Sequence, residues 1–289
     1  MEPTPMASDA SPEAAQGGDL VRRHRLSTRI WHWINAVTLL VMLMSGLMIF
    51  NAHPRLYWGE YGANFDQPWL KIGTLQNTRT GEYSGFLQVG DERIDTTGVL
   101  GLWQDSNGRQ QRYAFPSWAT IPSRYSLAGA RIWHLAFAWV LALGLLAYLV
   151  RSLVNGHLRR DIHITRREWS PRHLWYDVKQ HARLRFPKGA SALRYNALQK
   201  LAYAGVLFVL LPLMIVTGLA MSPGTDAWAP IVTELFGGRQ SARSVHFICA
   251  FLLVVFFVVH MVMVVLAGPI NEVRSMITGK YRLPKEKGQ

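Results

Sequence analysis

Four of the ten histidines in the sequence lie inside long apolar stretches, where an ionisable side chain is costly and usually functional. They are His32, His134, His246 and His260. His246 and His260 are 14 residues apart in one stretch. Fourteen residues make almost four helical turns, so both side chains project from one helix face, roughly 21 Å apart along the axis. The spacing indicates two separate sites along a single helix.

Three of these four histidines follow an arginine by three residues. The arginines are Arg29, Arg131 and Arg243, and Arg-Ile-Trp-His occurs twice, at 29–32 and 131–134. Residues three apart share a helix face, so each guanidinium lies one turn from its histidine. A guanidinium can bind a carboxylate through two parallel hydrogen bonds, which makes the three arginines candidates for binding an anionic group of a ligand.

The sequence contains four stretches without Asp, Glu, Lys or Arg: 30–50, 132–150, 201–221 and 244–270, and all but the third carry one or two of these histidines. Each reaches the roughly 20 apolar residues that a helix needs to cross a bilayer. Charged residues make up only 17% of the chain, well below the roughly one quarter that is usual in soluble proteins. The single cysteine, Cys249, excludes a disulfide framework, covalently attached c-type haem and a cysteine-ligated iron–sulfur cluster.

The net charge of +13 alone would suggest nucleic acid or a membrane surface as the partner. Segments 1–29, 151–200 and 271–289 hold 21 Lys and Arg against 9 Asp and Glu, whereas segments 51–131 and 222–243 hold 10 against 9. Because an excess of Lys and Arg marks the cytoplasmic side, the charge indicates orientation in a lipid bilayer and does not require nucleic acid.

These patterns predict an all-α membrane protein: a four-transmembrane-helix bundle with both termini cytoplasmic and a long, partly β periplasmic loop between helices 1 and 2. The expected segments are a disordered tail (1–20), helix 1 (21–51), the periplasmic insert (52–128), helix 2 (129–153), a basic cytoplasmic loop (154–197), helix 3 (198–221), a periplasmic loop (222–241), helix 4 (242–268) and a basic cytoplasmic tail (269–289). A β-hairpin is predicted within the insert, with strands at 98–103 and 112–115 joined by a turn at 105–108.

The depths of the histidines form two pairs. His134 and His246 each lie three residues inside the outer edge of a span, and His32 lies three residues inside an inner edge. His260 is about 25 Å from the outer edge, which places it level with His32 in a hydrocarbon core of about 30 Å. The spacing therefore predicts an inner pair, His32 with His260, and an outer pair, His134 with His246.

Two imidazoles from different helices at one depth suit the axial positions of haem iron, and the arginines suit its propionates. A zinc site is disfavoured because each pair offers two ligands instead of three or four. A lone transmembrane histidine is more often a helix–helix hydrogen bond or a proton relay. Gly46 could leave room for the plane of a haem or allow close packing of helices. The third span has no histidine and is interpreted as scaffold kinked at Pro212. The other six histidines are interpreted as having no part in the chemistry.

The arrangement resembles the di-haem cytochrome b membrane subunits of Ni/Fe hydrogenases, formate dehydrogenases and thiosulfate reductase-type enzymes. The resemblance rests on the segments that begin at Arg29-Ile-Trp-His32 and Arg131-Ile-Trp-His134, and on His246 and His260. It implies two b-type haems, ligated by His32 with His260 and by His134 with His246. The segment 115–134 resembles members that accompany a periplasmic molybdopterin oxidoreductase.

The resulting hypothesis is an electron-transfer subunit of the bacterial inner (cytoplasmic) membrane, which links a periplasmic redox subunit to the quinone pool, with substrate chemistry in the partner. A quinone is expected near the inner haem, where Asn35 and Arg29 offer polar groups. Two alternatives remain open. One is a stand-alone quinone-linked haem oxidoreductase acting on a small redox substrate, and the other is a haem-free transporter or anchor whose histidines relay protons.

Overall fold

The fold is taken from a computed structural model, which describes residues 18–63, 65–156, 170–182 and 197–283. Most of the tail predicted at 1–20 and most of the loop predicted at 154–197 lie outside the described residues. The chain divides into two compact units. One comprises Met1–Trp33, Ala147–Val209 and Val254–Gln289, and the other comprises Ile34–Leu146 and Leu210–Leu253.

Four helical segments are long and apolar enough to cross a membrane, as judged by length and composition. They are α1 (Leu26–Ala52), α2 (Leu127–Val154), the third span (Ala197–Ala220) and α8 (Arg239–Ala267). Shorter helices are α3 (Pro171–Ala182), α6 (Pro223–Trp228), α7 (Ile231–Glu234) and α9 (Pro269–Thr278). Many large apolar side chains of the four spans are exposed, as expected for surfaces that face lipid.

The third span is not a uniform α-helix. It consists of α4 (Ala197–Gly205), a π-helical turn (Val206–Leu210) and α5 (Leu211–Ala220). Pro212 lies at the start of α5. Because its backbone nitrogen carries no hydrogen, it cannot donate a hydrogen bond to a carbonyl of the preceding turn. A wider π-turn is a common way to absorb such a defect, so the irregularity expected at Pro212 lies just before it.

The segment between α1 and α2 folds around a four-stranded antiparallel sheet in the order β2-β3-β4-β5. Its strands are β2 (Arg55–Leu56), β3 (Leu70–Gln76), β4 (Tyr83–Val89) and β5 (Glu92–Asp95). A separate hairpin pairs β6 (Trp103–Gln104) with β7 (Gln110–Gln111). The turn predicted at 105–108 is thus confirmed, but the strands predicted at 98–103 and 112–115 are replaced by the shorter β6 and β7, and the larger sheet was not predicted.

One face of the four-stranded sheet packs against the ends of α1 and α8. Leu56, Leu70 and Ile72 form a buried cluster with Phe50 of α1, and Phe247 of α8 packs against it. Polar contacts reinforce the apolar ones. The Trp69 indole N–H donates to Ser244 Oγ at 2.9 Å, and Ser244 Oγ–H donates to the Tyr57 carbonyl at 2.5 Å. The insert is therefore held on the helices by side chains from both.

The other unit brings the two ends of the described chain together. Strand β1 (Leu20–Arg22) pairs antiparallel with β8 (Lys280–Arg282), and Leu20 lies within the tail predicted to be disordered. The Arg23 guanidinium forms an ion pair with Glu272 of α9 at 3.0 Å and lies 4.4 Å from the centre of the Tyr281 ring. These contacts order the segments next to α1 and α9.

Candidate metal centres

The outer pair predicted from the sequence comes together within one unit. The ring centres of His134 and His246 are 6.2 Å apart, with the ring planes inclined by 59°. An imidazole nitrogen binds a metal at about 2.0 Å and lies about 1.1 Å from its ring centre, so rings on opposite sides of one metal have centres about 6.2 Å apart. The spacing therefore fits two axial ligands of a single metal.

The His134 ring is oriented by α1. Its Nδ1 lies 3.1 Å from the Met42 carbonyl and 3.1 Å from Ser45 Oγ. The Ser45 hydroxyl itself donates to the Val41 carbonyl at 2.7 Å, which leaves its oxygen lone pairs to accept. Nδ1–H is therefore the donor, and Nε2 remains free to bind a metal. Hydrogen bonds of this kind fix the tautomer of a metal-binding histidine and raise its basicity.

The His246 ring is oriented in the same way by the third span. Its Nδ1 lies 2.8 Å from Thr217 Oγ1, and the Thr217 hydroxyl donates to the Leu213 carbonyl at 2.6 Å. Nδ1–H of His246 therefore donates to the hydroxyl oxygen, and Nε2 is again left for a ligand. The third span was interpreted as scaffold. Its structural role includes a contact with the candidate ligand, which the sequence analysis missed.

A short repeat accompanies these two contacts. Ser45 is followed by Gly46 and Leu47, and Thr217 is followed by Gly218 and Leu219. A Cβ added at Gly46 would lie 3.4 Å from Cε1 of His134, and one at Gly218 would lie 3.8 Å from Cε1 of His246. The hydroxyl and the glycine thus face the same ring in both places. This Ser/Thr-Gly-Leu repeat was the sequence signal that could have identified both contacts.

The inner pair comes together within the other unit. The ring centres of His32 and His260 are 6.3 Å apart and their planes are inclined by 54°, so this separation also fits two ligands of one metal. Phe256 stacks on His260 at 6.0 Å, and Trp33 meets His32 edge-on at 5.2 Å. Within the described chain, buried Nδ1 of His32 and buried Oδ1 of Asn35 have no hydrogen-bond partner.

The three arginines occupy different surroundings. The Arg29 Nε–H donates to the Met276 carbonyl at 3.4 Å, and an Arg243 N–H donates to the His53 carbonyl at 2.6 Å. Arg131 is exposed at the start of α2. Arg29 and Arg243 are thus held by backbone carbonyls one turn from a candidate ligand, and a guanidinium has further N–H groups with which it can bind an anionic group.

A second polar cluster lies beside Arg243. The His53 ring stacks on Tyr57 at 5.9 Å, and within the described residues the buried His53 Nε2 and Tyr57 hydroxyl have no hydrogen-bond partner. Burial lowers the pKa of His53, and the positive charges of Arg243 and Arg55 lower it further. His53 is therefore neutral near pH 7, and the sequence did not mark it as part of this cluster.

The two histidine pairs are better suited to bind the iron of a haem than to bind a metal ion that has only side chains as ligands. Among the described residues, no group of three or more His, Cys, Asp and Glu side chains is placed to hold a metal. At each site the two opposed imidazoles would hold the iron of one haem, which would supply one-electron chemistry when bound. Spanning helices with two such pairs define a membrane-embedded cytochrome of the b type.

The chain belongs to the prokaryotic cytochrome b561 family, whose model matches residues 23–279. It is 34% identical over 140 residues to a putative protein-methionine-sulfoxide reductase subunit YedZ1 of Azospira oryzae, covering 48% of this chain and 67% of the relative. It is 29% identical over 175 residues to a probable Ni/Fe-hydrogenase B-type cytochrome subunit of Azotobacter vinelandii, covering 56% and 72%. It is 23% identical over 281 residues to the putative cytochrome YdhU of Escherichia coli, covering 96% and 80%. No solved structure gives a significant match.

These comparisons confirm the family expected from the histidine pattern. Family membership and the four apolar helices make the chain a bacterial membrane protein that binds haem b and takes part in electron transport. The relatives named as subunits indicate a link to an oxidoreductase partner.

Proposed function

We propose that the protein passes electrons through two b-type haems between an oxidoreductase on the outer side of the bacterial inner membrane and the quinone pool. The observation that carries the proposal is the pair of ring separations, 6.3 Å for His32 with His260 and 6.2 Å for His134 with His246. Each separation matches two axial ligands of one iron, and both pairs draw one ligand from α8.

The haems supply one-electron chemistry when bound. The residues of the chain orient and tune them. Ser45 and Thr217 hold the outer imidazoles in the tautomer that presents Nε2, and their hydrogen bonds make these imidazoles more basic ligands. Arg243 and Arg131 at the outer pair and Arg29 at the inner pair provide cations for propionates. The spans expose large apolar side chains, which would surround both sites with lipid.

The quinone is proposed to bind beside the inner pair. Arg29 contacts the Met276 carbonyl there, and Asn35, one turn along α1 from His32, has a buried side-chain oxygen without a hydrogen-bond partner among the described residues. Turned the other way, the Asn35 amide is a donor to a quinone carbonyl. The placement on the inner side follows from the excess of Lys and Arg in the segments near this pair.

The partner is proposed to be a periplasmic redox subunit, with a molybdopterin oxidoreductase as the favoured kind. One relative is named as a subunit of a putative protein-methionine-sulfoxide reductase and another as a subunit of a probable Ni/Fe hydrogenase. The residues 115–134, which resemble members with a molybdopterin partner, lead into and begin α2, at the end that the charge pattern predicts to face outward. The chemistry of the substrate then belongs to the partner.

The test is the haem content of the purified full chain. A reduced-minus-oxidised spectrum and a pyridine haemochrome assay are expected to show b-type haem at about two per chain. His246→Ala and His32→Ala are each expected to remove about one haem. A protein without b-type absorbance, or a His246→Ala variant that keeps both haems, would contradict the proposal. Oxidation of reduced haem by a quinone analogue in nanodiscs then tests the link to quinone.

A further inference from the structure

A row of side chains crosses the four strands of the insert's sheet, with a cation on β2, β3 and β5 and a glutamine on β4. Arg55 of β2 lies opposite Lys71 of β3, Lys71 lies opposite Gln88 of β4, and Gln88 lies opposite Arg93 of β5. Residues directly opposite one another in antiparallel strands point to the same face, so these four side chains form one line. We call Arg55, Lys71 and Arg93 the cationic row.

The cationic row lies on the face opposite the buried cluster. Leu56, Leu70 and Ile72, the immediate chain neighbours of Arg55 and Lys71, point to the cluster side. Because successive side chains of a strand alternate between faces, the row points away from the ends of the spanning helices. Arg93 is exposed, and Arg55 and Lys71 are half-buried.

Like charges in this arrangement cost stability. Arg55 and Lys71 are direct cross-strand neighbours, which is an unfavourable placement for two cations. Burial lowers the pKa of Lys71, and the charges of Arg55 and Arg93 lower it further. Arg93 bonds Gln88 at 3.0 Å, and the charged ends of Lys71 and Arg93 lie 5.5 and 4.7 Å from the centre of the Phe86 ring. In the part of the chain that the structure describes, neither Lys71 nor Arg93 forms an ion pair with a carboxylate.

One end of the row lies near a residue that Arg243 contacts. Arg243, one helical turn before His246, donates to the carbonyl of His53, and Arg55 follows two residues later on the chain. The charges of Arg243 and Arg55 both act on His53. One end of the cationic row therefore lies close to His53, the residue whose carbonyl Arg243 contacts. The outer segments as a whole are nearly balanced in charge, so these cations are concentrated on one face.

We propose that the cationic row is the docking surface for an acidic face of the soluble redox protein that exchanges electrons with the outer haem. This inference rests on the proposed function for the existence of that haem. Charge complementarity argues for the occupant, because three aligned cations attract an acidic surface and hold it on the insert. The acidic face would pair with Lys71 and Arg93, which form no ion pair with a carboxylate within the described residues.

The test uses the purified full chain in nanodiscs of zwitterionic lipid. Reduced haem is mixed with ferricyanide, an anion, or with hexaammineruthenium(III), a cation, in a stopped-flow instrument; each oxidant takes one electron from one ferrous haem. The double variant Lys71→Gln/Arg93→Gln is expected to slow oxidation by ferricyanide about tenfold at about 20 mM salt, and to lose most of this difference at about 500 mM. Oxidation by the ruthenium complex is expected to be unchanged or faster.

The matched control is Arg79→Gln/Arg109→Gln, which removes the same charge from exposed turns of the insert. Arg79 lies in the turn beyond Gln76, about 20 Å along the strands from Lys71. This control is expected to keep the wild-type rate with ferricyanide. Replacing Lys71 and Arg93 relieves like-charge repulsion, so the row variant is expected to fold as well as the wild type.

A second readout does not depend on haem. Fluorescence anisotropy with a labelled polyglutamate peptide is expected to show salt-sensitive binding to the wild type and to the control, and at least fivefold weaker binding to the row variant. Equal binding by all three proteins, or equal salt dependence of all ferricyanide rates, would overturn the docking surface. A chain that lacks haem but still binds the peptide through the row would instead refute the proposed function alone.

Discussion

Thr217 Oγ1 lies 2.8 Å from Nδ1 of His246, so a helix without histidine orients a candidate haem ligand on its neighbour. In the same way, Ser45 Oγ lies 3.1 Å from Nδ1 of His134. In both places the hydroxyl also donates to a carbonyl of its own helix, which holds the acceptor oxygen in position. The outer pair is thus oriented from both sides, whereas buried Nδ1 of His32 has no such partner within the described chain.

Thr217→Val is expected to raise the midpoint potential of the outer haem. The hydrogen bond from Nδ1 makes the imidazole more basic and favours ferric iron, so its loss favours ferrous iron. A difference of about 1 kcal/mol corresponds to about 40 mV for a one-electron couple, and we expect a shift of roughly 20–60 mV. Redox titration of the b-type absorbance measures it.

Thr217→Ser is the matched control for this prediction, because it keeps the hydroxyl that accepts from His246. It is expected to restore a potential close to that of the wild type. The inner haem is expected to keep its potential in both variants. Equal shifts for the valine and serine variants would show that packing at Thr217 matters and that the hydrogen bond does not.

Single histidine replacements are expected to separate the two centres. His134→Ala removes a ligand of the outer pair only, and His260→Ala removes one of the inner pair only. Each variant should retain about one haem per chain, with different midpoint potentials and different low-spin electron paramagnetic resonance signals. His53→Ala serves as the control and should keep both haems, since Arg243 binds the His53 backbone carbonyl and not its ring.

Gly46→Leu is expected to disturb the outer centre. Even a single added carbon would lie 3.4 Å from Cε1 of His134, so the larger side chain must displace the ring. We expect loss of about one haem, read from the haemochrome assay. Gly205→Leu is the control, because a Cβ there meets nothing within 4 Å. Retention of both haems in Gly46→Leu would show that the helices shift to accommodate the new side chain.

Asn51→Leu is expected to loosen the insert. The Asn51 amide accepts from the Phe115 N–H at 2.8 Å and donates to the Phe115 carbonyl at 3.2 Å. Leucine leaves both backbone groups unpaired, at a cost of about 2–4 kcal/mol. Limited trypsin digestion should cleave faster at Arg112 and Arg124. Asn107→Leu in the exposed turn of the β6–β7 hairpin should digest at the wild-type rate.

The spans and the β6–β7 hairpin could be read from the sequence because each depends on local signals. An apolar run of sufficient length predicts a spanning helix wherever its neighbours lie. The sheet β2–β5 was missed because β2 has two residues and β5 has four, and its pairing joins residues as far apart as Arg55 and Lys71. The cationic row follows from this register and was equally hidden.

The sequence by itself predicted four spanning segments, a charge difference between the two sides, and matching depths of the two histidine pairs. Helix rise and bilayer thickness are sufficient for these. Only the tertiary structure decided which face each helix turns toward its neighbours. Spans that are apolar on most sides bury little more surface in one rotation than in another, so packing and hydrogen bonds select the rotation. The contact of Thr217 with His246 is one result of that selection.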